Sequence, residues 1–514
     1  MINLLYMDYD SKPILEGIEH LELQTLYDMA FETYRVRNAT SWYYKMYTSN
    51  PEAIRFRQDV IRDLYNNEGL FEELSRLYDC TENWRRKYEQ SDSHVPSLRS
   101  SVESYGTVKE ALCDLMRFHT VISKHIAEKK VTAEGLVSIA DYVAETVEHH
   151  RFDALSRRFD EIFEVEPQYY TVGFNLDENL CPTHYKLMSA LGKKARIGKK
   201  YSLSSGFWGG LADGLNMFSV VAKMSRSEQT TADNRGGDLA NKPPLYRFAG
   251  EILHSCSSDS YSNMRDILRK LTIRIEDAVG FYVGAITLMR KLTKAGLPFC
   301  FPEIARDGEF TATELYLPQL MGRADSIIRN GVTLKDGQFA IITGANQGGK
   351  TTFLKSMGLA QLMFQLGFPV CAKSAKIGVC RNMLIIFSDR ENHSSSLGRV
   401  GQELEKMADG LHKSADGNLF VLMNEPLTST GEADSCLILK ELFSIFNELN
   451  SRGCLVTHHH KLAKELTADT ARFKSLVAKT ENGGKNLTYC IIEGEPEGCS
   501  YAYNTVERKG IIFK

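Results

Sequence analysis

Residues 342–357 read ITGANQGGKTTFLKSM, and within them Gly344, Gly349, Lys350 and Thr351 stand at the spacing of a phosphate-binding loop. The apolar run FAII precedes the pattern and a helix-like run follows it, so the strand, turn and helix context that the spacing requires is present. Glycines in such a turn let backbone N–H groups approach phosphate oxygens, and a helix N-terminus favours their charge. Lys350 can then reach the terminal phosphates, and the Thr351 hydroxyl can join a Mg²⁺ shell. The candidate nucleotide-binding residues are Gly344, Asn346, Gly348, Gly349, Lys350, Thr351 and Thr352.

Working outward, LFVLMNEP reads as a second strand ending in Asn424 and Glu425, where an ATPase commonly carries an Asp that supports Mg²⁺ and a Glu that positions water. Asn424 supplies an oxygen but no charge, so it supports a cation less strongly. Thr351 and Asn424 are the candidate metal residues, and Glu425 is a candidate general base or water-positioning group, with capping of a neighbouring structural element as its alternative role. A third strand runs into THHHKLA, placing Thr457 and His458 where a side chain can sense a terminal phosphate. His458 is the second candidate catalytic residue. Three successive His also suggest a metal site, but nearest neighbours project in different directions and no suitably spaced carboxylate accompanies them.

A chain of 514 residues with 43% hydrophobic composition has material for two to four domains. Its 62 basic and 65 acidic residues exclude a uniformly basic nucleic-acid surface while leaving room for a local patch. The 11 Cys are scattered without a CxxC pair and read as reduced thiols. MINLLYMDYDSKP acquires charge too early for a signal peptide, and no run approaches the roughly 20 apolar residues of a membrane helix. The expectation is a cytoplasmic protein with no membrane partner.

From Leu21 to Lys130 the pattern is helical, with Ile54, Val60, Ile61, Leu64, Leu70 and Leu74 on one stripe. Long helices continue from Thr107 to Arg157, with a break near KKVTAEG where Thr132 can cap a helix starting at Ala133. YYTVGFNLDENLCP then brings strand-like and turn-like pieces. Lys193, Lys194, Arg196, Lys199 and Lys200 follow as a basic cluster that suits either DNA backbone contact or an ordinary solvated surface. After a polar connection near 226–244, helical pattern resumes to about Lys294, and alternating strands and helices fill the remainder.

TGANQGGKTTFLK is similar to the signature of the DNA mismatch-repair MutS family, whose loop commonly reads TGPNMGGKST; Asn346 and Gly348 match beyond the general pattern. SSSLGRVGQELEKM resembles the family segment that contributes across a dimer interface, and LFVLMNEPLTST resembles its second ATPase motif. LVTHHHKL follows THYHEL through His458 and His460, GEPEGCSYAY resembles the late Gly/Ser-rich segment, and RFRQDVIRDLYNNEGLFEEL resembles the start of the helical core.

The resemblance implies a multidomain α and α/β fold: a mostly helical core, lever and clamp-like region followed by a C-terminal ABC-type P-loop ATPase domain. The implied boundaries are core and lever at 1–160, a clamp-like insertion with the basic patch at 161–225, returning helices at 226–295 and the ATPase and dimerisation domain at 296–514. It further implies ATP and Mg²⁺, a homodimer, and a nucleotide closed by Ser394, Ser395 and Ser396 of the second subunit. Departures accompany the matches. The chain lacks room for the Phe-x-Glu mismatch-reading domain plus a connector, so structured or branched DNA, as in repair or recombination, is the expected substrate rather than a mismatch. Asn424 stands for the family's Asp and Lys461 for its Glu, which bears on turnover more than on nucleotide binding. A nucleotide-regulated scaffold for protein partners, with little turnover or DNA binding, is the alternative. Intrinsic nuclease activity is not expected, because no carboxylate cluster suited to two metals is seen.

Overall fold

The computed structural model describes residues 5, 13–31, 39–91, 98–149, 169–176, 182–191, 269, 275–276, 278–387, 399–413, 417–482 and 486–496. A short strand β1 (Leu15–Glu16) leads to helices α1 (Leu23–Ala30), α2 (Ala39–Met46), α3 (Pro51–Asn66), α4 (Glu68–Ser91), α5 (Leu98–Ala127) and α6 (Glu134–His149). α3 shows why. Asn50 Oδ1 accepts the Glu52 N–H at 2.9 Å, Pro51 occupies the first turn, and Glu52 complements the positive helix end. The stripe read from the sequence, Ile54 to Leu74, is 0% exposed at all six positions. Each such burial is worth about 1.5–3 kcal/mol.

The break between α5 and α6 departs from the sequence expectation. α6 starts at Glu134, and the two amides that lead into it are held not by the Thr132 hydroxyl but by Asp63 of α3, whose Oδ2 accepts Thr132 N at 2.7 Å and Ala133 N at 2.8 Å. A carboxylate reaching two adjacent amides satisfies more orphan donors than a hydroxyl can, and nothing local to residue 132 announces it.

The chain forms two compact units. One comprises Glu73–Lys124 and Ala140–Val279. In it Leu77, Trp84, Leu115, Phe118 and Ile122 are buried, and Arg76 bridges Glu73 at 3.1 Å and Asp114 at 2.7 Å. It also holds an antiparallel hairpin, β2 (Tyr169–Leu176) with β3 (Pro182–Leu191), lying inside the 161–225 stretch. The basic cluster Lys193, Lys194, Arg196, Lys199 and Lys200 lies outside the described residues.

The other unit comprises Met1–Glu72, His125–Ile139 and Gly280–Lys514. Beyond a helical run at 280–294, it contains β4 (Glu303–Ile304), β5 (Phe310–Leu315), β6 (Asn330–Leu334), β7 (Phe339–Gly344), α7 (Lys350–Leu366), β8 (Ser374–Ile377) and β9 (Asn382–Phe387). α8 (Arg399–Lys413), β10 (Leu419–Asn424), α9 (Glu432–Glu448), β11 (Arg452–Val456), α10 (His460–Thr467), β12 (Phe473–Glu481) and β13 (Asn486–Glu493) follow. The larger sheet runs β1-β9-β10-β11-β7-β12-β13, parallel throughout except for the β12–β13 pair. A smaller sheet runs β4-β8-β5-β6. Strands buried on both faces read as continuous apolar runs, which is why FAII, MLIIF and LFVLM were legible.

β1 was not legible. Its two residues pair in parallel with β9, Leu15 beside Met383 and Glu16 beside Leu384. Gly17 follows with φ 76°, and a Cβ there would stand 2.0 Å from the Ile385 carbonyl oxygen, so only glycine turns the chain this close to the sheet. Arg57 of α3, 1% exposed, donates to the carbonyls of Leu5, Met46 and Leu366 and so closes the last turn of α7. Burial pulls its guanidinium down to about 10.

Among the described residues the cysteines are free thiols, and no helix is long and apolar enough to cross a membrane. Asp63→Ala is expected to cost about 0.5–2 kcal/mol in denaturant unfolding, as removal of a helix cap does. Thr132→Ala is expected to stay within about 0.5 kcal/mol, as exposed sites do. The reverse order would remove the role given to Asp63.

Candidate functional site

In the larger sheet β7 is flanked by β11 and β12, so the chain leaves β7 through α7 and β8, reaches β9, and returns toward β7 by way of β10 and β11. Such reversals open a crevice at the carboxyl ends of parallel strands. Register aligns those ends: Val456 pairs with Ile342 on one side and with Asn424 on the other. The turns after β7, β10 and β11 therefore meet at one edge.

The turn after β7 is built on backbone that glycine permits. Gly344 has φ 115° and Gly349 has φ 90°, while Gln347 adopts φ 61°. A Cβ on Gly348 would stand 2.9 Å from the Ala345 carbonyl oxygen. α7 then starts at Lys350 with no side-chain cap, leaving its first amides directed to the turn. Lys350 is 5% exposed, and its Nζ donates to the carbonyls of Gly344 and Ala345, both at 2.9 Å. Burial lowers its pKa, and the charge of Glu425 opposes that shift. Asn346 is exposed at the turn, and Thr352 is half-buried in the first turn of α7.

Thr351 Oγ1 donates to Asn424 Oδ1 at 3.1 Å, joining the start of α7 to the end of β10. Glu425 follows with φ 51°, its N–H held by the Val456 carbonyl at 2.9 Å and its Oε1 2.7 Å from His458 Nε2. That hydrogen bond is the largest of the causes that hold the Glu425 carboxyl below its usual range, and it outweighs burial; the charges of His458 and Lys350 add to it. Two residues on, Leu427 has φ 59° and is fully buried. Positive φ at a non-glycine residue costs on the order of 1–3 kcal/mol and persists only where surroundings enforce it.

Six of the sequence candidates are thus brought within one constellation: Gly344, Lys350, Thr351, Asn424, Glu425 and His458, with Gly348 and Gly349 shaping the turn. His459 follows a different route, its N–H donating to Thr457 Oγ1 at 3.0 Å and its Nδ1 lying 3.8 Å from Glu432. Ser394, Ser395 and Ser396 lie outside the described residues. One neighbour was not foreseen. Tyr489 of β13, 50% exposed, packs on the turn so that a Cβ on Gly349 would stand 3.5 Å from its Cβ. Asn330 fixes that strand, donating to the Tyr489 carbonyl at 3.2 Å and accepting from Ile491 N at 2.7 Å. A lone tyrosine so far along the chain carries no local signature; only the pairing of β12 with β7 and β13 delivers it.

Residues 340–510 match the family model MutS domain V. The DNA mismatch repair protein MutS of Myxococcus xanthus is 30% identical over 190 residues, covering 36% of this chain and 21% of that protein. The endonuclease MutS2 of Streptococcus equi subsp. equi is 28% identical over 200 residues, covering 38% of this chain and 25% of that protein. The DNA mismatch repair protein MutS of Haloquadratum walsbyi is 22% identical over 434 residues, 80% of this chain and 45% of that protein. The chain spans less than half the length of these relatives, to which it is distantly homologous.

Proposed function

We propose that this chain is a MutS-like, DNA-binding ATPase that couples ATP binding and hydrolysis to clamp-like engagement of structured or branched DNA, working as a homodimer. The observation that carries the ATPase part is the meeting of Lys350, the Thr351–Asn424 pair and the Glu425–His458 pair at one sheet edge. Two carbonyls take two of the three N–H directions of the Lys350 ammonium, and a terminal phosphate oxygen suits the third. The amides at the start of α7 and the glycine turn face the same phosphates. Tyr489 stands beside Gly349, and its aromatic side chain is the candidate contact for the base.

Thr351 and Asn424 present two neutral oxygens within hydrogen-bond distance of each other, a donor set that suits Mg²⁺ sharing its shell with phosphates and water. Bound there, Mg²⁺ would neutralise charge on the transferring phosphoryl oxygens. Glu425 orients the attacking water and accepts its proton, and the products are ADP and phosphate. His458 holds Glu425 as a carboxylate and would sense the terminal phosphate through a hydrogen bond. The missing charge at Asn424 favours slow turnover, and its limit is the scaffold reading, in which nucleotide is bound and barely hydrolysed.

The DNA part rests on homology to proteins named for mismatch repair and endonuclease activity, and on the basic cluster at Lys193–Lys200. That cluster would meet the phosphate backbone and supply affinity without reading bases.

Phosphate release measured with duplex, single-stranded and branched DNA tests the whole reading: stimulation by branched DNA is expected, and indifference to every DNA together with no binding favours the scaffold. Glu425→Gln should lower turnover by about 10²–10⁴-fold while nucleotide still binds; normal turnover would remove its catalytic role. His458→Ala takes away the hydrogen bond that lowers the Glu425 pKa, so the carboxylate protonates at higher pH. The acid limb of the kcat/KM profile should accordingly move up, and an unmoved limb would uncouple the two residues. Replacing Lys193, Lys194, Lys199 and Lys200 with Ala should flatten the plot of log affinity against log salt by up to about 3.6, at about 0.9 for each phosphate no longer neutralised. An unchanged slope would sink the proposed role of the cluster.

A further inference from the structure

We infer that Glu403, assisted by Ser435, is a positioning residue for Glu425. This inference rests on the reading of Glu425 as the water-activating carboxylate. Glu403 lies on α8, is 6% exposed, and spends one carboxylate oxygen on a single backbone amide: its Oε2 accepts the Leu427 N–H at 2.7 Å. Its Oε1 is buried with no hydrogen-bond partner among the described residues. A half-satisfied buried carboxylate is a costly way to satisfy one amide that a neutral acceptor could serve. What the side chain adds is an acceptor held by α8 at that one amide.

The point is the strained turn that carries Glu425. Glu425 and Leu427 both have positive φ, and Pro426 stands between them with φ restricted by its ring. The turn is fastened at Glu425 by the Val456 carbonyl and at Leu427 from several sides. Glu403 takes the Leu427 N–H, the Ser435 hydroxyl donates to the Leu427 carbonyl at 3.0 Å, Thr430 N donates to it at 3.2 Å, and the Leu427 side chain is buried in the sheet core. Release of the Leu427 N–H lets the 425–427 backbone relax toward ordinary φ, and because Pro426 is stiff the change passes to Glu425. Its carboxylate then leaves the position defined by His458. Sequence could not reveal this, because Glu403 reads as one more helical acid; only packing of α8 against the turn separates it from its exposed neighbour Glu405.

The test compares the unmodified protein with Glu403→Ala, Glu403→Gln, Ser435→Ala and Glu425→Gln. Turnover is expressed per nucleotide-binding site, titrated with a fluorescent ATP analogue, so that loss of folded protein does not count as loss of rate. Glu403→Ala should lower kcat per site by about 10–100-fold with KM within about threefold, as a misplacement of about 1 Å does. Gln retains an acceptor for the Leu427 N–H and should restore the rate to within about threefold of the unmodified protein. Ser435→Ala, which leaves α8 untouched, should lower kcat per site in the same direction if Glu403→Ala does not fold. Unchanged kcat per site in Glu403→Ala and Ser435→Ala, or a Gln variant as slow as Ala, overturns the positioning role. Normal turnover in Glu425→Gln is a separate result that removes the underlying reading whatever Glu403 does.

Discussion

The parallel register that sets Val456 beside both Ile342 and Asn424 is the constraint on which the site depends. It brings the turns after three strands to a common edge, and Lys350, Asn424, Glu425 and His458 all leave from that edge. A slip of one residue in β11 would turn alternate side chains to the opposite face and carry Thr457 and His458 out of reach. The register is held because β10, β11 and β7 are buried on both faces, with Val421, Met423, Leu455, Phe339 and Ile341 in one core. Hydrophobic burial thus sets the positions of polar groups it does not touch.

Against that stable frame, two of the places where the backbone is strained lie in the turns that form the site. The turn after β7 concentrates strain on glycines and Gln347; the turn after β10 places it on Glu425 and Leu427, neither of which is glycine. The first is relieved by residue choice and the second is enforced by neighbours. Strain enforced by neighbours marks a position where geometry matters more than stability. The buried Lys350 ammonium belongs to the same class: its own pKa is lowered by burial, and an anionic ligand would relieve that cost.

The helices that precede the α/β region in sequence follow a simpler physics. α3 buries an apolar stripe, caps its own start with Asn50, holds the amides leading into α6 with Asp63, and sends Arg57 to the end of α7. Only the first two of these four roles are local. The other two join elements far apart in sequence, and each uses a charged side chain where water is excluded or backbone donors are orphaned.

By itself the sequence determined the helical character of the first part of the chain, the strands that end at Gly344, Asn424 and Val456, the stripe from Ile54 to Leu74, the glycine turn before Lys350, and the candidacy of Thr351, Asn424, Glu425 and His458. These are legible because periodicity and loop spacing are local properties, dictated by the geometry of one helix, strand or turn. Tertiary structure alone decided that Leu15–Glu16 joins the sheet, that Asp63 holds the amides leading into α6, that Tyr489 reaches the glycine turn, and that Glu403 takes the amide of Leu427. Each of these pairs residues separated by many positions. Their meeting depends on how apolar faces pack and which strands become neighbours, and no window of sequence contains that information.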